Sequence, residues 1–128
     1  MLKLNGKLEI KDFYKIIFEH NSIHIDNTLL KTVDKSFKFL KAFSENKVIY
    51  GVNTGFGPMA QYKIKNSDRI QLQYNLIRSH ASGTGNIIPQ IYVKAAMLAR
   101  LNTLSLGSSG VHKNIIKLMV LLINKEII

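Results

Sequence analysis

Tyr50-Gly51-Val52-Asn53-Thr54-Gly55-Phe56-Gly57 directs the reading of the whole chain. Three glycines in eight residues let the backbone take positive φ and pass close to another group. Tyrosine opens the run directly after the short apolar stretch Val48-Ile49. That order sets a phenol at the mouth of a tight, irregular loop, where a ligand can approach main chain and hydroxyl together. The same letters also describe a glycine-rich turn beside a core tyrosine. What separates the two readings lies outside the loop.

Upstream, the pattern is helical with one brief interruption. Phe13, Ile16 and Ile17 recur at helical spacing, with Phe18 adjoining, and predict a short helix over Asp12–His20. Ile23-His24-Ile25 alternates and reads as a brief strand. Asp26 is a good N-cap for a helix whose face carries Leu29, Leu30, Val33, Phe37, Leu40 and Phe43, ending near Ser44-Glu45-Asn46. Pro58 discourages helix at Gly57.

Downstream, Ser67 as N-cap and Asp68 in the first turn predict a second long helix, with Ile70, Tyr74, Ile77 and Ala81 on one face. It is expected to stop in Ser82-Gly83-Thr84-Gly85. Pro89 suits the first turn of the next helix, which runs to about Leu106. Its small residues Ala95, Ala96 and Ala99 predict close helix–helix contact. Gly107-Ser108-Ser109-Gly110 is a break, and Ile115 to Ile123 is apolar nearly all round. Nine residues fall well short of the about 20 that cross a bilayer. A helix apolar on every side belongs inside a larger body. The fold class expected is mainly α with one or two short strands, as a single segment over residues 1–128 that looks truncated.

Composition closes off several classes. The 128 residues suit one modest domain with a real core. No cysteine is present, so neither disulfides nor a cysteine-based metal site can form, and no metal is expected. Met1-Leu2-Lys3-Leu4-Asn5-Gly6 lacks a secretory signal pattern, so a cytoplasmic protein without membrane partners is the default. The net charge of +10 invites a nucleic-acid reading. Lys31, Lys35, Lys38 and Lys41 fall near one helix face, but acidic residues interleave and no nucleic-acid-binding motif is present. A solvated lysine-rich face is the simpler account, so no nucleic-acid partner is expected.

The deciding segment is Gln71-Leu72-Gln73-Tyr74-Asn75-Leu76-Ile77-Arg78-Ser79-His80-Ala81-Ser82-Gly83. Ser79 and His80 fall at a helix end, where a histidine can serve capping or packing alone, because the negative end of the helix favours a cation. The pair of motifs is more specific than either part. Tyr-Gly-Val-Asn-Thr-Gly-Phe-Gly followed some 22 residues later by Leu-Gln-x-Asn-Leu-Ile-x-Ser-His-x-x-Gly resembles the N-terminal region of the aromatic amino acid ammonia-lyases. Ala95 to Leu104, with Gly107 and Ser109-Gly110-Val111, continues the likeness, which covers the chain from about Lys47 and more loosely from Leu8.

That resemblance implies the N-terminal part of a fumarase/aspartase-like helical fold and a homotetrameric enzyme. The reaction it implies eliminates ammonia from L-histidine, L-tyrosine or L-phenylalanine to give an α,β-unsaturated acid. Tyr50 matches the catalytic base, and Ser79 and His80 match the position that lines the pocket for the substrate side chain. Gly51, Asn53, Gly55 and Gly57 would position the base. A free phenol ionises near pH ~10, so removing a weakly acidic β-proton needs a strong electrophile. The family forms it as a methylidene-imidazolone cofactor from an internal Ala-Ser-Gly. Ala81-Ser82-Gly83 spells those letters, yet it directly follows Ser79-His80, where the family has an ordinary helix end, and no Asp-Leu follows it. The cofactor-forming tripeptide is therefore expected beyond Ile128 and absent from this chain. Also missing are the family's later substrate-carboxylate arginine and second tyrosine. Two other readings stand beside a lyase segment: an inert truncated product able to associate with intact subunits, and a basic helical nucleic-acid-binding module. Aminomutases share the same site.

Overall fold

A computed structural model describes every residue from Met1 to Ile128. Two short strands, β1 (Leu2–Leu4) and β2 (Ile23–Ile25), and five helices make up the chain. The helices are α1 (Ile10–Ile17), α2 (Asn27–Phe43), α3 (Arg69–His80), α4 (Gln90–Ser105) and α5 (Lys113–Asn124). They fall into two compact units, one of residues 1–40 and 87–128, the other of residues 41–86.

The first unit holds the apolar core. β1 and β2 pair in parallel, with Leu2 opposite Ile23, Lys3 opposite His24 and Leu4 opposite Ile25. A two-stranded ribbon leaves open edges, and here a side chain closes one. Asn124, the last residue of α5, accepts from Ile23 N at 2.8 Å and donates to Ile23 O at 2.9 Å. Leu4 and Ile23 then join Ile16 of α1, Val33 of α2, Leu98, Leu101 and Leu104 of α4, and Ile116, Val120 and Ile123 of α5 in one buried cluster.

Local chemistry sets the helix ends. Asp26 Oδ1 accepts from Thr28 N at 2.9 Å, so the expected N-cap of α2 is formed. Helix α1 starts before the expected Asp12, at Ile10, because the Asp12 carboxylate reaches back to Glu9 N at 3.0 Å. It stops at Ile17, and His20 lies outside it with φ of +53°. Before α5, His112 Nδ1 accepts from Asn114 N at 3.2 Å, a capping role the sequence did not signal.

Four expectations need correction. Ala96 and Ala99 of α4 are exposed, and the contact face is instead Leu98, Leu101 and Leu104, where larger apolar surface is buried. Ser67 does not cap α3: its hydroxyl turns to Asp68 Oδ1 at 2.8 Å, and residues 66–68 form a 3-10 turn ahead of Arg69. Helix α3 also ends at His80, short of the glycines expected to stop it, with Ala81 as its C-cap. Helix α5 buries only one face, leaving Ile115, Leu118 and Leu121 about half exposed.

The second unit is built differently. None of the side chains of α3 is buried, and the buried side chains of this unit are Ser44, Asn53 and Thr54. Hydrogen bonds hold it where the first unit uses apolar packing. No helix is long and apolar enough to cross a membrane.

Candidate active site

Asn53 is the centre of the Tyr50–Gly57 loop, with no exposed surface. Its Oδ1 accepts from Ile49 N at 2.8 Å, and its Nδ2 donates to the carbonyls of Ser44 and Lys47, each at 2.7 Å. The main chain of Asn53 adds a donation to Ile49 O at 3.2 Å and an acceptance from Ile64 N at 2.9 Å. A buried amide is costly unless its donors and acceptor are paired. Here all of them are, and the result is a bridge from the end of α2, through Lys47 and Ile49, to the far side of the loop.

Thr54 extends the bridge. Only 1% exposed, it accepts from Gly51 N at 3.3 Å and donates to Gly55 O at 2.8 Å. Beyond it, Thr54 and Lys63 form an antiparallel bridge, and Gly55 N donates to Tyr62 O at 3.2 Å. The glycines are required at two places. Gly51 has φ of +74°, which L side chains rarely adopt, and a Cβ on Gly55 would stand 2.6 Å from Met59 Cβ. The expected discouragement of helix at Gly57 gives way to a single 3-10 turn over Gly57–Met59, which Pro58 tolerates in its first positions.

Tyr50 rides on this scaffold rather than in it. It is 62% exposed, and its ring meets Phe56 edge-on with centroids 6.1 Å apart. Its hydroxyl has no hydrogen-bond partner within the chain. The loop thus presents a free phenol on a backbone fixed immediately before and after it.

Ser79 and His80 close α3 as a small relay. Ser79 Oγ donates to Leu76 O at 3.0 Å, and His80 Nδ1 lies 2.8 Å from Leu76 O and 3.0 Å from Ser79 Oγ. A proton on Nδ1 satisfies both contacts at once, since Leu76 O can only accept. That tautomer leaves Nε2 as a free acceptor on an exposed ring. The structure gathers Tyr50, Gly51, Asn53, Gly55 and Gly57 into one loop. It joins Ser79 to His80, with no hydrogen bond or ring contact from either to Tyr50.

Ser44 and Thr54 escaped the sequence reading. The signal for Thr54 was an Asn-Thr pair between glycines, the residue types that bond locally to their own backbone. Nothing in the sequence pointed to Ser44, whose part is played by its carbonyl.

A sequence profile described as aromatic amino acid lyase matches residues 8–128. The chain belongs to that family. Relatives of this aromatic amino acid lyase chain include the probable histidine ammonia-lyase of Thermoplasma acidophilum, 38% identical over 130 residues, which take in 100% of this chain and 26% of that protein. The histidine ammonia-lyase of Streptococcus pyogenes is 40% identical over 129 residues, covering 99% and 25%. Among solved structures, the tyrosine aminomutase from Streptomyces globisporus matches with a TM-score of 0.89 at 29% identity, over 98% of this chain and 24% of that one. The histidine ammonia-lyase from Trypanosoma cruzi gives a TM-score of 0.80 at 25% identity, over 96% and 24%. The chain spans about a quarter of the length of the curated relatives it matches. The fold is the N-terminal part of the lyase and aminomutase fold.

Lyases of this family are known for a self-derived methylidene-imidazolone, and Ala81-Ser82-Gly83 has the letters of its source tripeptide. All three residues are exposed, and nothing lies within 4 Å of where a Cβ on Gly83 would stand. A tripeptide that cyclises is held with its ends pressed together, and this one lies exposed with open space around Gly83. These residues do not fit the group. No three His, Asp or Glu residues stand together as a metal site either.

Proposed function

We propose that residues 1–128 supply the base-bearing part of the active site of an aromatic amino acid ammonia-lyase acting on L-histidine. The observation that carries this is the unpartnered Tyr50 hydroxyl on a loop pinned by the fully buried Asn53. A base must reach its proton while its own backbone stays still. In the elimination, Tyr50 takes the β-proton, the C–H electron pair becomes the C=C bond, and ammonia leaves with the pair of the Cα–N bond. Gly51, Asn53, Gly55 and Gly57 hold the loop in the shape that presents the phenol. The electrophile that makes the proton removable is not formed by this chain's own tripeptide, so the chain alone is inactive and works within a longer, homotetrameric, cytoplasmic enzyme.

His80 supports the choice of substrate. With Nδ1 engaged by Leu76 and Ser79, its Nε2 accepts a hydrogen bond from a substrate N–H or O–H. Full-chain similarity to histidine ammonia-lyases favours the imidazole. L-tyrosine is the second reading, favoured by the structural likeness to a tyrosine aminomutase.

Replacing the matched quarter of a histidine ammonia-lyase with residues 1–128 tests the proposal. The chimera is expected to release the unsaturated acid from histidine faster than from tyrosine or phenylalanine. His80→Phe is expected to shift preference toward phenylalanine, and unchanged selectivity would make His80 structural.

A further inference from the structure

We infer that a basic cleft in the second unit is a binding site for a small, multiply charged oxyanion, of which inorganic phosphate is the simplest. The cleft has a volume of about 640 Å³ and is lined by Lys41, Lys63, Lys65 and Arg69, with Glu45 as its one carboxylate. That volume lies in the range of small-molecule sites, about 300–1,000 Å³. Arg69 Nε is buried and has no hydrogen-bond acceptor, an arrangement that costs free energy until an acceptor arrives. Lys63 Nζ is already held by the Glu45 carbonyl at 3.1 Å, whereas Lys41, Lys65 and Arg69 make no ion pair.

Two further features set the sign of the ligand. Helix α3 starts at Arg69 with no side-chain hydrogen bond to its first N–H groups, which stay free to face an anion, while Asp68 supplies one negative charge at that end. That Asp68 carboxylate accepts from Ser67 Oγ at 2.8 Å and does not line the cleft. An oxyanion is what a guanidinium and two free ammonium groups recognise best, with charge-assisted hydrogen bonds. The cations line one cleft rather than an extended track, so a compact anion fits better than a nucleic-acid backbone. None of this rests on the lyase reading.

The test is a titration of this chain with inorganic phosphate at fixed ionic strength, followed by amide shifts in ¹⁵N–¹H spectra. Saturable shifts confined to Lys63–Ile70 and Lys41–Glu45 are expected. Arg69→Gln and Lys65→Gln should each weaken binding about tenfold, the loss of one charge-assisted bond. Glu45→Gln should tighten it, and Lys31→Gln, which removes a lysine outside the cleft, should leave it unchanged. Circular dichroism of each variant checks that the fold survives. Non-saturable shifts would overturn the assignment, as would equal weakening by Lys31→Gln and Arg69→Gln. Single-stranded RNA displacing phosphate from the same amides, in a strongly salt-dependent way, would replace it with a nucleic-acid site.

Discussion

At the scale of single residues, Asn53 and Tyr50 divide the labour of the loop. Asn53 gives up all exposure to hold three backbone groups, and Tyr50 keeps its hydroxyl free. Asn53→Ala strands the Ile49 N–H and the Ser44 and Lys47 carbonyls. Stranding buried groups of this kind costs ~1–3 kcal/mol each where water cannot reach them. The variant is therefore expected to lose amide-exchange protection at Ile49 and Gly51 while the core amides of α4 stay protected. Loss of protection throughout would mean that the loop and the core unfold together. The sequence showed the glycines, the tyrosine and the asparagine of this loop but not how they are held. The bonds run to main-chain carbonyls of Ser44 and Lys47, and a carbonyl carries no residue-specific signature.

At the scale of elements, periodicity is informative wherever one face is apolar and misleading elsewhere. Helix α2 and its Asp26 cap were legible because the cap residue and the Leu29–Val33 face agree. Strand β1 was not, since three residues give no pattern and their partner β2 is 21 residues away in register. The alanines of α4 misled because small residues permit close approach without requiring it. One ion-pair cluster ties elements together in a way no pattern would reveal. Glu126 Oε1 lies 2.8 Å from Lys94 Nζ and 2.6 Å from His20 Nδ1, linking the chain after α5 to α4 and to the turn after α1. Lys94, then His20, hold the Glu126 carboxyl down at about 2. Lys3 and Thr28 do the same for Asp26. A folded-state pKa below the unfolded one adds stability above the ordinary carboxylate value, and that stability is lost as pH falls through the folded value. The melting temperature is thus expected to drop between pH 4.5 and about 2, and Glu126→Gln to flatten part of that drop. An unchanged slope in the variant would show that the cluster adds nothing to stability, as exposed ion pairs often do.

At the scale of the whole molecule, the apolar side chains that are not in the core are the informative ones. Ile70, Tyr74 and Ile77 of α3 are 71%, 55% and 65% exposed, and Ile115, Leu118 and Leu121 form a second open stripe on α5. Apolar stripes of this kind mark surfaces that other protein covers. The isolated chain should bind a hydrophobic dye and sediment as concentration-dependent species, and a dye-silent monomer would contradict that. The all-round apolar character of Ile115–Ile123 was legible in the sequence; which face is buried was not, because Ile116, Val120 and Ile123 are chosen by their contact with the strands and α4. Function stands on the same footing, since the motif pair pointed to the family while the loop geometry supplies a reason for it. Steady-state turnover of a full-length lyase carrying residues 1–128 with Tyr50→Phe tests that reason most directly. Removing a general base is expected to lower kcat by about 10²–10⁴-fold with the fold intact. Near-normal turnover in that variant would contradict the assignment of Tyr50 as the base.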